Sequence, residues 1–460
     1  MLKIGGTYEQ RPSDGRGPGA WPLFFVILVW VVLALLLFTV LGWLWGTGGY
    51  LSWGRWLTNW KDVSDGATTS LDLVKVSLTT IGGIGGVGYL VIKYRERASA
   101  ERAEVAAERE QAEQKLLSAV QQLGSESPQV RIAGVYSLTD VADTYRGDYR
   151  QRVVDILCGY LRTKRGEWTP TEDVKDGDGS LSPTRVYVSD DGAVESTILN
   201  VMARHLRKRR DATKSHPKGV VQEVRDEQLW CDCSIDLHEV VLTERPNFGG
   251  TTFTQEVNFR GATFTRYTDF REVKFTQDVN FLRTIFAKNA DFRDSIFLQN
   301  ANFQAATFHW DANFKRTAFT READFLRATF KRCAYFHEAT FKGYANFHEV
   351  KFIQNAGFRL ATFTKGATFQ KARFVRKAEF RQTTFVQKVK FQHTTFNSAC
   401  RSVYGKGSFP ESVPLISGLP HGARWEHFDE DGNILSLVAE DSPDTAAEDN
   451  EPDGGDPIVQ

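Results

Sequence analysis

The stretch A-N-F-Q-A-A-T-F-H-W-D, Ala301 to Asp311, decides how this chain folds. Its two phenylalanines stand five residues apart, and the next one, Phe314, follows six residues after Phe308. The alternation of five and six runs unbroken from Phe248 to Phe396 through 28 phenylalanines, so the repeat is eleven residues long. Two residues before each Phe stands a small or β-branched residue (Ala262, Ala290, Ala301, Ala306, Ala312, Ala323, Ala328, Ala339, elsewhere Val, Thr or Ser), with Pro246 the exception in the first unit. The residue just before Phe is commonly Asn or Asp in one half-unit (Asn258, Asp269, Asn280, Asp291) and Thr in the other (Thr263, Thr307, Thr329). Residues two apart on an extended segment share a face. The small residue and the Phe therefore point inward, and the polar residue between them points outward.

A continuous strand cannot keep this pattern, because a step of five reverses side-chain parity. The chain must bend between units, and short sides joined by bends and repeated many times make a solenoid. An α-helix would place successive Phe on two opposed stripes, and an eleven-residue coiled coil needs apolar spacings of three and four. The unit small–polar–Phe–x–x resembles the pentapeptide repeat. That resemblance implies a right-handed, four-sided β-helix. The extra residue in every second unit reads as a longer corner, giving roughly 22 residues per coil and about seven coils, or roughly 34 Å of rod. The Phe ladder is expected to be core, each ring gaining about 2 kcal/mol on burial.

Length and charge set the wider frame. With 460 residues, two or more domains are expected. Formal charge is zero, yet Asn247 to Cys400 carries 24 Lys/Arg against 12 Asp/Glu, while the chain after Arg424 has 12 acids and no Lys or Arg. The five cysteines, Cys158, Cys231, Cys233, Cys333 and Cys400, are scattered, which suits a reducing compartment and no disulfide framework.

The N-terminal part reads as a membrane hairpin. Residues 1–19 are polar and Gly/Pro-rich and are expected to be disordered. Residues 20–45 include 25 uncharged positions from Trp21 to Trp45, enough for a first span with Trp at both interfaces. Residues 46–72 form an extracytoplasmic loop, and residues 73–92 a second span, where Gly82 and Gly86 make a G-x-x-x-G packing pair. Lys93, Arg95, Arg97 and Arg102 crowd the exit of that span, so both termini are expected in the cytoplasm of a bacterial cell, with the protein in its cytoplasmic membrane.

Residues 93–124 read as a spacer helix, and 125–212 as a helical module of three amphipathic helices, interrupted by an acidic loop from Thr171 to Ser189. The segments Gln122 to Leu138 and Val153 to Arg162 resemble the juxtamembrane module of bacterial membrane-anchored pentapeptide-repeat proteins, and by analogy a HEAT-type helical hairpin. The cluster Arg204, Arg207, Lys208, Arg209 and Arg210 is expected to complement the third helix's dipole, with anionic lipid contact as the other reading. The solenoid is assigned to 228–400, a C-terminal cap to 401–428 and an acidic disordered tail to 429–460. The whole is an α+β multidomain chain.

Chemistry is harder to find. Hydrolase, nucleotide and metal motifs are absent from the sequence, so no catalytic residues, metal ligands or cofactors are assigned. His309, His337, His348 and His393 fall on outward positions, and Asp269, Asp291 and Asp324 read as bend or surface groups. From Lys351 to Lys390 there are ten basic residues against one acid, Glu379. Lys351, Arg359, Arg373, Arg376, Lys377, Arg381, Lys388 and Lys390 are the candidate binding residues, expected as a stripe along the rod. The expected function is a membrane-anchored cytoplasmic scaffold that presents the solenoid to a protein partner. The alternative is an anion-binding module for nucleic acid or anionic lipid, masked by the acidic tail. The expected partners are the lipid bilayer and a protein, with nucleic acid less favoured; oligomeric state is not legible.

Overall fold

The computed structural model describes residues 70–170, 185–212, 219–403, 409–429 and 433–435, together with six helical positions between Val29 and Val40. The chain divides into two compact units, residues 1–111 and 112–460.

In the first unit the described structure is the helix α1 (Ser70–Leu123) as far as Gln111. The helix continues without a break through 92 and 93, where the sequence turns from apolar to charged. No proline or capping residue stands there to stop it. Leu78, Val87, Tyr89, Leu90 and Tyr94 are exposed along it, and a Cβ added at Gly82 or Gly86 would meet nothing within 4 Å. Among the described residues no helix is long and apolar enough to cross a membrane. The expected first span, apart from the six helical positions, lies outside the described residues, as do 1–19 and 46–69.

The second unit opens with the last turns of α1, where Ala112, Leu116, Ala119 and Leu123 form a buried stripe at helical spacing. α2 (Pro128–Tyr145), with Pro128 in its first turn, crosses it, and α3 (Gly147–Arg162) and α4 (Gly192–Leu206) pack on α2, all within one buried cluster. Gly134 allows the close crossing of α2 over α1, since a Cβ there would lie 2.6 Å from the Leu123 nitrogen. Part of the expected acidic loop is instead an antiparallel ribbon. Gly166–Pro170 pairs with Arg185–Ser189, setting Trp168 opposite Tyr187. Val186, Tyr187 and Val188 supply the strand propensity, which the Asp/Gly run before them obscured; residues 171–184 lie outside the described set.

From Ile235 the chain winds into a four-sided solenoid. Face 1 runs from Ile235–Asp236 to Val389–Lys390 and face 2 from Val241–Leu242 to Arg424–Glu426. Face 3 runs from Thr268–Asp269 to Ala378–Glu379, and face 4 from Thr252–Phe253 to Thr384–Phe385. Within the repeat region every pairing is parallel, as in Val279↔Ala301 and Phe286↔Phe308, so one coil is 22 residues. All 28 phenylalanines of the ladder are at most 8 % exposed. Rings 22 residues apart stack in parallel, Phe292 on Phe314 at 4.8 Å and 2°. Rings across the axis meet edge to face, Phe292 and Phe303 at 5.7 Å and 89°. Both arrangements are favoured by the ring quadrupole.

The two corner types explain the alternation of five and six. After faces 1 and 3 the corner is short, and its second residue has φ near +60°, in a series that recurs every eleven residues: Arg283, Asp294, Ala305, Arg316, Arg327. The next N–H returns to the Phe carbonyl, as from Ala306 to Phe303 at 3.1 Å, which closes a turn with the positive φ of type II. This left-handed residue makes the parity reversal that a five-residue step needs. The Asn or Asp before the Phe feeds the same corner. Asn302 Oδ1 accepts the Gln304 N–H at 2.9 Å, and Asp324 Oδ1 that of Leu326 at 2.9 Å. Thr is the commonest residue at the equivalent position on faces 2 and 4, where a three-residue corner comes next and no such acceptor is required. At the far end Phe409 stacks on Phe380 at 5.5 Å, and Arg424–Glu426 adds a last strand to face 2, so the cap closes the axis.

Candidate anion-binding surface

The surface starts from a rigid junction. Glu195 on α4 is fully buried and accepts hydrogen bonds from Arg165 Nη1 (2.5 Å), Thr243 N (2.7 Å), Thr243 Oγ1 (3.0 Å) and Glu244 N (2.9 Å). Arg165 also donates to the carbonyls of Leu161 and Val241, both at 2.9 Å. One buried, fully satisfied ion pair thus ties α3, α4 and the first coil together. The basic run after α4 belongs to the same junction. Arg207 donates to the Gly249 and Asn247 carbonyls (3.1 and 3.0 Å), and Arg210 to those of Gly250 and Glu272. These two guanidiniums are engaged with backbone carbonyls rather than free for lipid, while Arg204 in the last turn of α4 and Arg207 at its C-cap stand where the dipole reading put them. Arg207 and Arg210 satisfy corner carbonyls of the early coils, a role visible only once the solenoid is placed beside them.

Beyond the junction the outward side chains fall into columns at 22-residue spacing. On face 3, Asp269 and Asp291 are bend groups, as one of the two expected roles has it, accepting the corner N–H of Arg271 (3.0 Å) and Arg293 (3.2 Å), but they are buried rather than on the surface. Arg271 grips Asp269 (2.9 and 2.6 Å) and Arg293 grips Asp291 (2.9 and 2.7 Å). The hydrogen bond to Asp269 holds the Arg271 guanidinium above its usual value, while burial and the Asp291 carboxylate push Tyr267 up to about 12. Short-corner residues pair along the rod as well. Arg316 meets Asp294 at 2.7 Å, and Glu349 meets Arg327 and Lys371 at 2.7 and 3.4 Å. The hydrogen bond from Arg327 lowers Glu349 to about 2. These pairs neutralise part of the charge on faces 1 and 3 and their short corners.

In the last coils most cations have no such partner among the described residues, Lys371 being the exception. Lys351 and Arg373 lie on face 2, directly opposite one another in register. Arg376 and Lys377 occupy the long corner after face 2, and Arg359 and Arg381 the short corner after face 3. Lys388 lies on the long corner after face 4, and Lys390 on face 1. The eight candidates therefore surround the rod and do not form the expected single stripe, because an eleven-residue repeat deals its outward positions to all four sides. Four of them do share one side, Lys351, Arg373, Arg376 and Lys377. Lys331 and Arg332, one coil earlier on that side, lie outside the basic run, because Glu322, Asp324 and Glu338 balance them in the linear sequence. Arg332 also lies over the Trp310 ring at 5.5 Å.

Other polar groups have local duties. His309 is lowered by burial and by Lys331, and His337 by burial first. His337 covers the face where Gly357 stands, and a Cβ there would lie 2.3 Å from its ring. His205 stacks on Trp230 at 4.2 Å, and Asp143 accepts from Trp230 Nε1 (3.3 Å) and Gln228 Nε2 (3.1 Å); His205 and Asp143 line a cleft of about 310 Å³ between α2, α4 and the segment 223–228. Among the described residues no group of His, Cys, Asp and Glu is arranged to hold a metal ion.

A family model described as pentapeptide repeats (9 copies) matches residues 234–274, 262–307 and 303–351. No curated protein and no solved structure matches the chain.

Proposed function

We propose, from the premise that this chain is a pentapeptide-repeat protein with a β-solenoid region, that it acts as a membrane-anchored scaffold whose outward columns are read by a protein partner. The observation that carries this reading is the filled axis. With 28 Phe rings occupying the interior, the rod offers its chemistry only on its outer faces, at fixed intervals of about 4.8 Å per coil. The buried Arg165–Glu195 junction supports it, since it transmits orientation from the helices to the rod. The anchor rests on residues 20–45 and on the exposed apolar side chains Leu78, Val87 and Leu90 of α1. Affinity capture from native membranes tests the reading. The expected result is a saturable protein partner in the membrane fraction, released when outward residues of one face are exchanged. Recovery of the chain in the soluble fraction, with no saturable partner, would contradict it.

A second reading has its own observation. Lys351 faces Arg373 across a strand pair, and like charges directly opposite are destabilising. An anionic polymer or lipid headgroup on that side would offset the cost. Such binding weakens steeply with salt.

A further inference from the structure

Six cations share face 2 and the corner after it: Lys331, Arg332, Lys351, Arg373, Arg376 and Lys377. No acid occupies an outward position on that side between Thr329 and Ala399. None of the six makes an ion pair among the described residues, whereas Arg271, Arg293 and Arg316 on the corner after face 3 each hold an aspartate. The same side is where the chain leaves the solenoid. Arg424–Glu426 is the last strand of face 2, with Thr395↔Arg424 and Asn397↔Glu426 in register. The chain then turns back on itself, with Phe428 bridged to Ile434 and the Leu435 N–H on the His427 carbonyl at 2.9 Å. The C-terminal segment 436–460 holds eight carboxylates (Glu440, Asp441, Asp444, Glu448, Asp449, Glu451, Asp453, Asp456) and no Lys or Arg. Extended at about 3.3 Å per residue it spans roughly 80 Å, against about 19 Å from the Arg424–Glu426 strand back to the coil of Lys331.

We infer that the acidic segment 436–460 binds the cationic side formed by face 2 and its long corner, so that the rod carries its own anionic ligand there. Charge complementarity, the point of departure and the reach all favour this occupant over an external one. The inference does not depend on the scaffold reading. A tethered segment acts at millimolar effective concentration, so it screens this side from outside anions and leaves the other three sides open.

Zero-length carbodiimide crosslinking of the full chain, mixed with an isotopically labelled copy, tests it. The expected links run within one chain, from the eight carboxylates to Lys331, Lys351 and Lys377. They fall by about five-fold or more between about 50 mM and about 0.5 M salt, and in the variant Arg373→Glu/Arg376→Glu, whose changes are outward. Equal links to Lys342, Lys365 and Lys388 on the face 4 side, links only between chains, or none at all would overturn it. A second measurement removes any dependence on crosslinking chemistry. With all eight carboxylates changed to amides (Glu440→Gln, Asp441→Asn and so on), inorganic polyphosphate or phosphatidylserine vesicles should bind about ten-fold tighter or more. Unchanged affinity would overturn it. Neither readout involves a protein partner, so failure here and failure of the scaffold reading are distinguishable.

Discussion

At the scale of single residues the solenoid stores strain and hydrogen bonds in a regular way. Leu360 has φ +60° and an exposed side chain, and a left-handed L-residue costs about 1–2 kcal/mol. Leu360→Gly removes that strain but adds some chain entropy in the unfolded state, so it should stabilise by about 0.5–1 kcal/mol in a denaturant titration. Thr317 works in the other direction. Its buried hydroxyl donates to the Phe292 carbonyl at 2.7 Å, 25 residues back. Thr317→Val keeps the shape and loses the bond, so a cost of about 1 kcal/mol is expected. Phe314→Ala, which empties a rung between stacked neighbours, should cost about 3–5 kcal/mol. The inward Phe and Ala were legible directly from their spacing. The left-handed corners were not, because Arg, Asp, Ala and Leu stand where Gly would have announced them; only Gly250 and Gly261 carry that signal.

At the scale of elements the junction between helices and rod is the point of leverage. Glu195→Gln would leave the buried Arg165 charge without its counterion, and breaking such a pair costs about 3–5 kcal/mol. Hydrogen exchange should then rise in α4 and the first coil while coils beyond Phe314 stay protected; uniform protection would show that the pair is dispensable. Cysteines report on the same packing. Burial pushes Cys158 and Cys233 up to about 12 and Cys231 up to about 11, whereas Cys333 and Cys400 are partly exposed. At neutral pH iodoacetamide should label only the latter two in the folded chain. These shifts also set a sign. A thiol raised in the fold ionises first in the unfolded chain, so stability falls as pH rises through about 9. The three helices after α1 were readable from apolar periodicity, as was Pro128 at a helix start. The ribbon at 166–189 and the clamp made by Arg207 and Arg210 were not, since each depends on partners distant in sequence.

At the scale of the whole molecule the account turns on charge and register. Some acids and bases pair along the rod, and the later coils leave cations around it, with face 2 and its long corner free of acids there. Composition revealed the excess but not its distribution, because an eleven-residue period spreads neighbouring residues around four faces. Acid titration should show the pairing along the rod. Glu349, lowered to about 2 by Arg327, contributes stability above the unfolded carboxylate range that is lost as pH falls from about 4.5 towards 2. The contribution is small, because the group is largely solvated.

The central claim is that Phe rungs stack on a common axis in 22-residue coils. Lys274 and Thr384 both point outward on face 4, five coils apart through Ile296, Ala318, Thr340 and Thr362. Spin labels on Lys274→Cys and Thr384→Cys, with Cys333 and Cys400 changed to Ser, measure the rise directly. The account predicts a narrow distance distribution centred near about 24 Å. A broad distribution, or a separation beyond about 40 Å as a helical or open chain would give, would contradict it.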